Sequence, residues 1–173
     1  MKSILQITYV STAVGGFAEC QISELRKQWQ SANVKRDIDS VLVNIGDSFL
    51  QLLEGERSMV EAVYKLIRQD PRHANIIQLT GQTVRERLFA GLSLGYAALH
   101  PMHAQELLAA NNQLPSGQRI GCIDAEGAKT LLYGALGARR GLSRRADRRT
   151  TTSGPRAFSF ASPLSSGRPL YSR

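Results

Sequence analysis

The order of apolar patterns along the chain constrains its fold more than any single motif. Residues 3–10, SILQITYV, alternate with period two, so Leu5, Ile7 and Tyr9 share one face of a strand. Residues 19–32 place Ile22, Leu25 and Trp29 along one helical stripe. Ile38 to Asn44 form a second strand, "NIGDS" turns the chain, and residues 48–53 return as a third, making a hairpin. Ser58 and Glu61 stand in capping-box register and open a helix whose apolar face is Met59, Val63, Leu66 and Ile67. Residues 75–80, NIIQLT, read as a fourth strand and residues 87–95, RLFAGLSLG, as a fifth. The order is β-α-β-β-α-β with a strand added, which predicts a ferredoxin-like α+β sheet with both helices on one face. Residues 101–112 and 124–136 read as two further helices.

A chain of 173 residues suits one domain with extensions. Its net charge of +8 is unevenly placed. Residues 138–173 hold nine of the 22 basic residues, all Arg, and only Asp147 of the 14 acids, which leaves thirteen of each sign before them. The preceding part is neutral, and all the excess charge lies in a tail of Arg, Ser, Gly, Pro and Thr. That composition predicts disorder. "RRGLSRRADRR", 139–149, has the Arg density of a non-specific phosphate binder, but no aromatic interleaving accompanies it. A solvated tail is the plainer reading, and no nucleic-acid partner is expected.

No apolar run approaches the roughly 18 residues of a membrane span. The N-terminal apolar stretch is interrupted by Gln6 and Thr8 and reads as a strand, not a signal peptide. Cys20 and Cys122 show no metal-ligand spacing, which suits a reduced, cytoplasmic protein. His100 and His103 flank a helix start, and no metal site is expected there.

Gln51 stands out within the third strand, "FLQLL", because an unpartnered buried amide costs roughly 1–3 kcal/mol. Tyr9 lies on the first strand and Asn33 at the end of the first helix. Two polar groups on core strands and one at a helix end are placed to converge on the polar edge of a ligand held between helices and sheet. Each also has an ordinary role: a satisfied core amide, a core phenol, a helix-ending Asn.

Residues 3–95 resemble the BLUF domain, a blue-light sensor using flavin. The resemblance is carried by "YVS" at 9–11, Asn33 five residues before Ile38, "FLQLLEG" at 49–55, "DPRH" at 70–73 and "LFAG" at 88–91. Tyr9 and Asn33 are 24 positions apart, and Asn33 and Gln51 are 18 apart, as in the family pattern. The resemblance implies FAD between the two helices, its ring edge facing Asn33 and Gln51, with Arg72 and His73 in the same pocket. Gln51 would bridge Tyr9 and the flavin N5/O4 edge. It further implies light-driven electron and proton transfer from Tyr9 and a rearranged Gln51 hydrogen-bond network. A non-enzymatic photoreceptor would then signal to an unidentified partner or through its own oligomer. The expected division is a flavin-binding domain over 1–97, a helical cap over 98–137 on the opposite sheet face, and the tail over 138–173, with no enzymatic output domain in residues 96–173.

Five departing residues bear on that reading. Trp29 stands where the family usually has Ser, and Ile38–Asp39–Ser40 replaces the usual Ile-Thr-Gly. Leu92 and Leu94 occupy the places of a frequent Trp and Met, residues associated with carrying the signal into the sheet. Leu packs but donates no hydrogen bond, so altered transmission is expected. Asp39, Ser40 and Trp29 would also suit a flavin-free interaction module that kept only the fold.

Overall fold

A computed structural model of the protein describes residues 3–15, 19–111, 113 and 123–147. The elements are β1 (Ile4–Ala13), α1 (Glu19–Lys35), β2 (Asp39–Ile45), β3 (Ser48–Glu56), α2 (Arg57–Gln69), β4 (His73–Val84), β5 (Gly95–Leu99), α3 (Pro101–Ala110) and α4 (Ala125–Asp147). The five strands form one sheet in the order β4-β1-β3-β2-β5. β1 pairs antiparallel with β3 and β4, and β2 antiparallel with β3, while β5 joins β2 in parallel. This is the expected ferredoxin-like arrangement with its added strand.

Alternation along the central strands divides the protein into two cores. Leu5, Ile7, Tyr9, Ile38 and Leu53 pack with Val60 and Tyr64 of α2 on one face. Val10, Val41, Val43, Ile45, Leu50 and Leu52 form the other with Ala104 and Leu108 of α3 and Leu131 and Leu132 of α4. The C-terminal helices therefore cover the sheet opposite α2. The β2–β3 hairpin turns at Gly46, whose φ of +58° is readily available only to glycine. His100 is the N-cap of α3, its Nδ1 accepting from the Met102 N–H at 3.3 Å, and Pro101 takes the first helical position.

Several boundaries differ from expectation. The fifth strand is not residues 87–95 but Gly95–Leu99. The segment 85–94 is instead a crossover of turns from β4 at one rim of the sheet to β5 at the other. Its apolar run resembled a strand, but the N–H groups of Leu88 and Phe89 go to the Glu54 carboxylate at 2.9 and 2.6 Å, and Gly91 has φ +79°. β4 runs well beyond 75–80, because an edge strand keeps its ladder with β1 while exposing polar residues on its free side. The Ser58–Glu61 capping box is not made. α2 begins two residues earlier, at Arg57, with Glu56 in place of Ser58 as N-cap; the Ser58 hydroxyl donates to Glu56 at 2.8 Å and Glu61 pairs with Arg57 at 3.1 Å. The last helix, expected over 124–136, continues to Asp147, into the segment assigned to a disordered tail. Cys122 and residues 148–173 lie outside the described residues.

Candidate functional site

Antiparallel pairing places Tyr9 directly opposite Gln51 on neighbouring strands. Both side chains point to the α2 face. Tyr9 is fully enclosed, and its hydroxyl donates to Gln51 Oε1. Burial pushes the Tyr9 hydroxyl far above the usual phenol range, and the charges of Tyr64 and Asp70 push it further. Both causes favour the neutral phenol. The Tyr64 ring lies 5.4 Å from that of Tyr9, centroid to centroid, and packs against its side.

Beyond Gln51 a cavity of about 260 Å³ opens between α1 and α2. Its walls are apolar: Ala32 from α1, Leu42, Phe49 and Leu53 from the sheet, and Val63, Leu66 and Ile67 from α2. Trp29, Asn33, Gln51, Arg72 and His73 also line it, so all five residues expected at a ligand site except the enclosed Tyr9 reach the cavity, joined by Trp29. Leu66 is 58% exposed, an apolar wall that a guest would cover.

Each polar residue has a protein partner that orients it. Asn33, buried at the end of α1, donates through Nδ2 to Ser40 Oγ at 2.9 Å and to the Ser93 carbonyl at 2.8 Å. Arg72 is clamped by Asp70, with Nε 2.8 Å from Oδ1 and the Arg72 backbone N–H donating to the same oxygen at 2.9 Å. The Arg72 hydrogen bonds hold the Asp70 carboxyl below its usual range. The Arg72 guanidinium lies 5.7 Å from the Trp29 ring centre. His73 shares a hydrogen between Nδ1 and Ser11 Oγ at 2.9 Å, and burial holds its imidazole below the usual value. Among the described residues, Gln51 Nε2 and Asn33 Oδ1 have no hydrogen-bond partner. Between apolar walls, one free amide donor and one free amide acceptor form the complement of a planar ring with a mixed polar edge.

Asp39 does not enter the cavity. It faces the other side of the sheet, where Arg87 Nη1 holds it at 2.8 Å and also pairs with Asp37. Ser40 faces the cavity side, fully buried. Asp70, Tyr64 and Ser93 also belong to the site, beyond the residues expected from the sequence. Asp70 was discoverable, because an Asp two residues before Arg72 forms an Asx turn with the Arg72 N–H. Ser93 contributes only its carbonyl, which no side-chain pattern encodes. The His100 and His103 rings meet edge to face, centroids 6.2 Å apart, and no metal-ligand cluster is found among the described residues.

Residues 4–95 match the model of the family described as sensors of blue-light using FAD. The chain belongs to the BLUF family. FAD is the cofactor of BLUF proteins, and the cavity's flat apolar walls, free Gln51 donor and free Asn33 acceptor fit a flavin ring. Among relatives, the chain is 37% identical over 82 residues to the blue light- and temperature-regulated antirepressor BluF of Escherichia coli K12, covering 46% of this chain and 20% of that protein. It is 28% identical over 87 residues to the photoactivated adenylate cyclase subunit beta of Euglena gracilis, covering 50% of this chain and 10% of that one. The chain thus spans a fifth or less of these curated relatives. Two solved BLUF proteins share its fold: BlsA in its photo-activated state (TM-score 0.65, 21% identity, 77% of this chain and 94% of that one) and BlrB in the dark state (0.59, 22%, 78% and 98%). BLUF domains are sensory modules. No helix among the described residues is long and apolar enough to cross a membrane.

Proposed function

We propose that this chain is a blue-light receptor in which Tyr9 and Gln51 are the light-active pair and Asn33, Gln51, Arg72 and His73 hold FAD. The observation that carries this reading is the Tyr9–Gln51 hydrogen bond, with the Gln51 amide nitrogen left free on the cavity. Bound FAD supplies blue-light absorption and, once excited, a place for an electron. Everything else falls to the chain. Burial favours the neutral Tyr9 phenol in the dark, and a phenol that loses an electron becomes strongly acidic and gives up its proton as well. Gln51 Oε1 lies in line to receive that proton. When the electron and the proton have both returned to Tyr9, the amide is left rotated or tautomerised. Its two ends differ in hydrogen-bonding sense and hardly in volume, so the exchange rewires the site without repacking it.

Asn33 fixes the ring edge from α1, and Trp29 with the apolar side chains of α2 excludes water. Arg72 and His73 close the far end of the slot. Asp70 compensates the Arg72 guanidinium, which leaves Arg36, just after α1, as the remaining cation of the cavity lining. The signal passes to a partner protein or a second copy of the chain through the α3–α4 side, in the cytoplasm, with no chemistry performed on a substrate. Asp39, which favoured a flavin-free module, is turned away from the cavity and paired with Arg87, so it adds no charge there.

The test is an absorption spectrum of the full chain reconstituted with FAD. Flavin bands that shift reversibly to the red under blue light support the receptor. Tyr9→Phe keeps the flavin and loses the shift. A colourless product after reconstitution overturns the reading, and a photocycle retained in Tyr9→Phe removes Tyr9 from it.

A further inference from the structure

We infer that Ser40 is a positioning residue that fixes the hydrogen-bonding sense of the cavity amide of Asn33. The proposal rests on the flavin reading above for its ligand, but not for the protein geometry that carries it.

The Ser93 carbonyl can only accept a hydrogen bond, and it lies 2.8 Å from the Asn33 amide. The Asn33 atom facing it is therefore the nitrogen, whichever way electron density would leave the amide ambiguous. An amide nitrogen carries two hydrogens. Ser40 Oγ takes the second at 2.9 Å. Ser40 is itself oriented, because its hydroxyl hydrogen goes to the same Ser93 carbonyl at 3.1 Å, which turns its lone pairs toward Asn33. The three groups close a ring in which every hydrogen is assigned. Asn33 is left with Oδ1 alone to offer the cavity, a pure acceptor suited to an N–H on a ring edge.

The assignment depends on a residue that departs from the family pattern. Where Gly is usual, no side chain takes the second amide hydrogen, and an Asn can give it to a guest carbonyl. In this chain Ser40 withdraws that donor. Ser40 is fully buried and its backbone N–H is also committed, to the Leu92 carbonyl at 2.9 Å, so the hydroxyl has no solvent alternative. The same bonds tie the cavity amide to the crossover segment just before β5.

The experiment reads the two Asn33 Nδ2 hydrogens separately, by exchange in the ¹⁵N-labelled, flavin-free full chain. Both should exchange at least about tenfold slower than the side-chain amide of surface Gln30. In Ser40→Ala the hydrogen facing residue 40 loses that protection while the one on Ser93 keeps it, and Ser40→Thr, which retains the hydroxyl, keeps both. Fast exchange of either hydrogen in the wild-type chain overturns the proposal, even if Ser40→Ala fails to fold. In FAD-loaded protein, Ser40→Ala should lower the C4=O stretching frequency of the dark state as the released N–H reaches the ring carbonyl, and Ser40→Thr should not. An unchanged stretch in Ser40→Ala overturns the ligand half of the proposal. A chain that takes up no flavin defeats the receptor reading instead, and the exchange rates still decide the role of Ser40.

Discussion

Tyr9 and His73 are moved in opposite directions by the same cause. Burial raises the Tyr9 hydroxyl and lowers the His73 imidazole, and both shifts favour the neutral form. For His73 the folded value lies below the unfolded one of about 6.5. Its contribution to stability is therefore complete above about pH 6.5 and is lost as pH falls through the folded value. The melting temperature should drop between pH 8 and 5, and more steeply in wild type than in His73→Asn, which has no imidazole to protonate; parallel curves would remove His73 as the cause. At this scale the sequence was highly legible where spacing carried the information. Tyr9, Asn33 and Gln51 lie on three elements, and it was the match of their 24- and 18-position intervals to the BLUF pattern that pointed to one site. Ser93 was illegible because it acts through its carbonyl. Asp39 and Ser40 were noticed as departures, but which faced the cavity depended on strand phase: Asp39 shares the face of Val41, Ser40 that of Leu42.

Among the elements, β3 does two jobs, one on each face. Gln51 points to the cavity, while Glu54, three residues on, is fully buried on the other side. Glu54 accepts from Gln6 Nε2 at 3.1 Å and from the Leu88 and Phe89 N–H groups, and so staples the crossover segment to the sheet. Removing the carboxylate strands one buried donor and two partly buried ones. Glu54→Ala should cost roughly 3 kcal/mol, since an unmade buried hydrogen bond costs about 1–3 kcal/mol and relaxation recovers part of the sum. Denaturant unfolding measures the loss, and faster amide exchange at Leu88 and Phe89 localises it; unaltered exchange there would show that Glu54 does not hold the segment. This staple explains why residues 87–95 deceived the pattern reading. An apolar run normally marks a strand, but these residues satisfy their backbone through a side chain 34 positions away. The helices and the hairpin were readable because their periodicity is local. The start of α2 was not, since Glu56, still in β3, serves directly as N-cap and leaves Ser58 inside the helix.

In the whole molecule, one sheet separates two cores of different purpose. The cluster around Val41, Leu50 and Leu131 makes no contact with the flavin cavity, whereas Leu53 belongs to the other cluster and lines it. Leu131→Ala should cost about 2–5 kcal/mol, as large-to-small changes in closed cores do, yet leave the dark flavin spectrum unchanged. Leu53→Ala should disturb both. A spectrum altered equally by the two variants would mean that the sheet does not insulate its faces. The crossover that joins the two rims has a further consequence, for length. From β4 to β5 it must traverse four interstrand steps, about 19 Å at about 4.8 Å each, and also climb from the row of Ile4 to the row of Thr8, about 13 Å, so its ends lie about 23 Å apart. Ten residues, 85–94, extend at most to about 35 Å, so only about a third of that reach is slack. Surface connections ordinarily accept insertions and deletions freely. This one works as a measured strap: it can be lengthened, but shortening it by more than about three residues would pull β5 off the sheet.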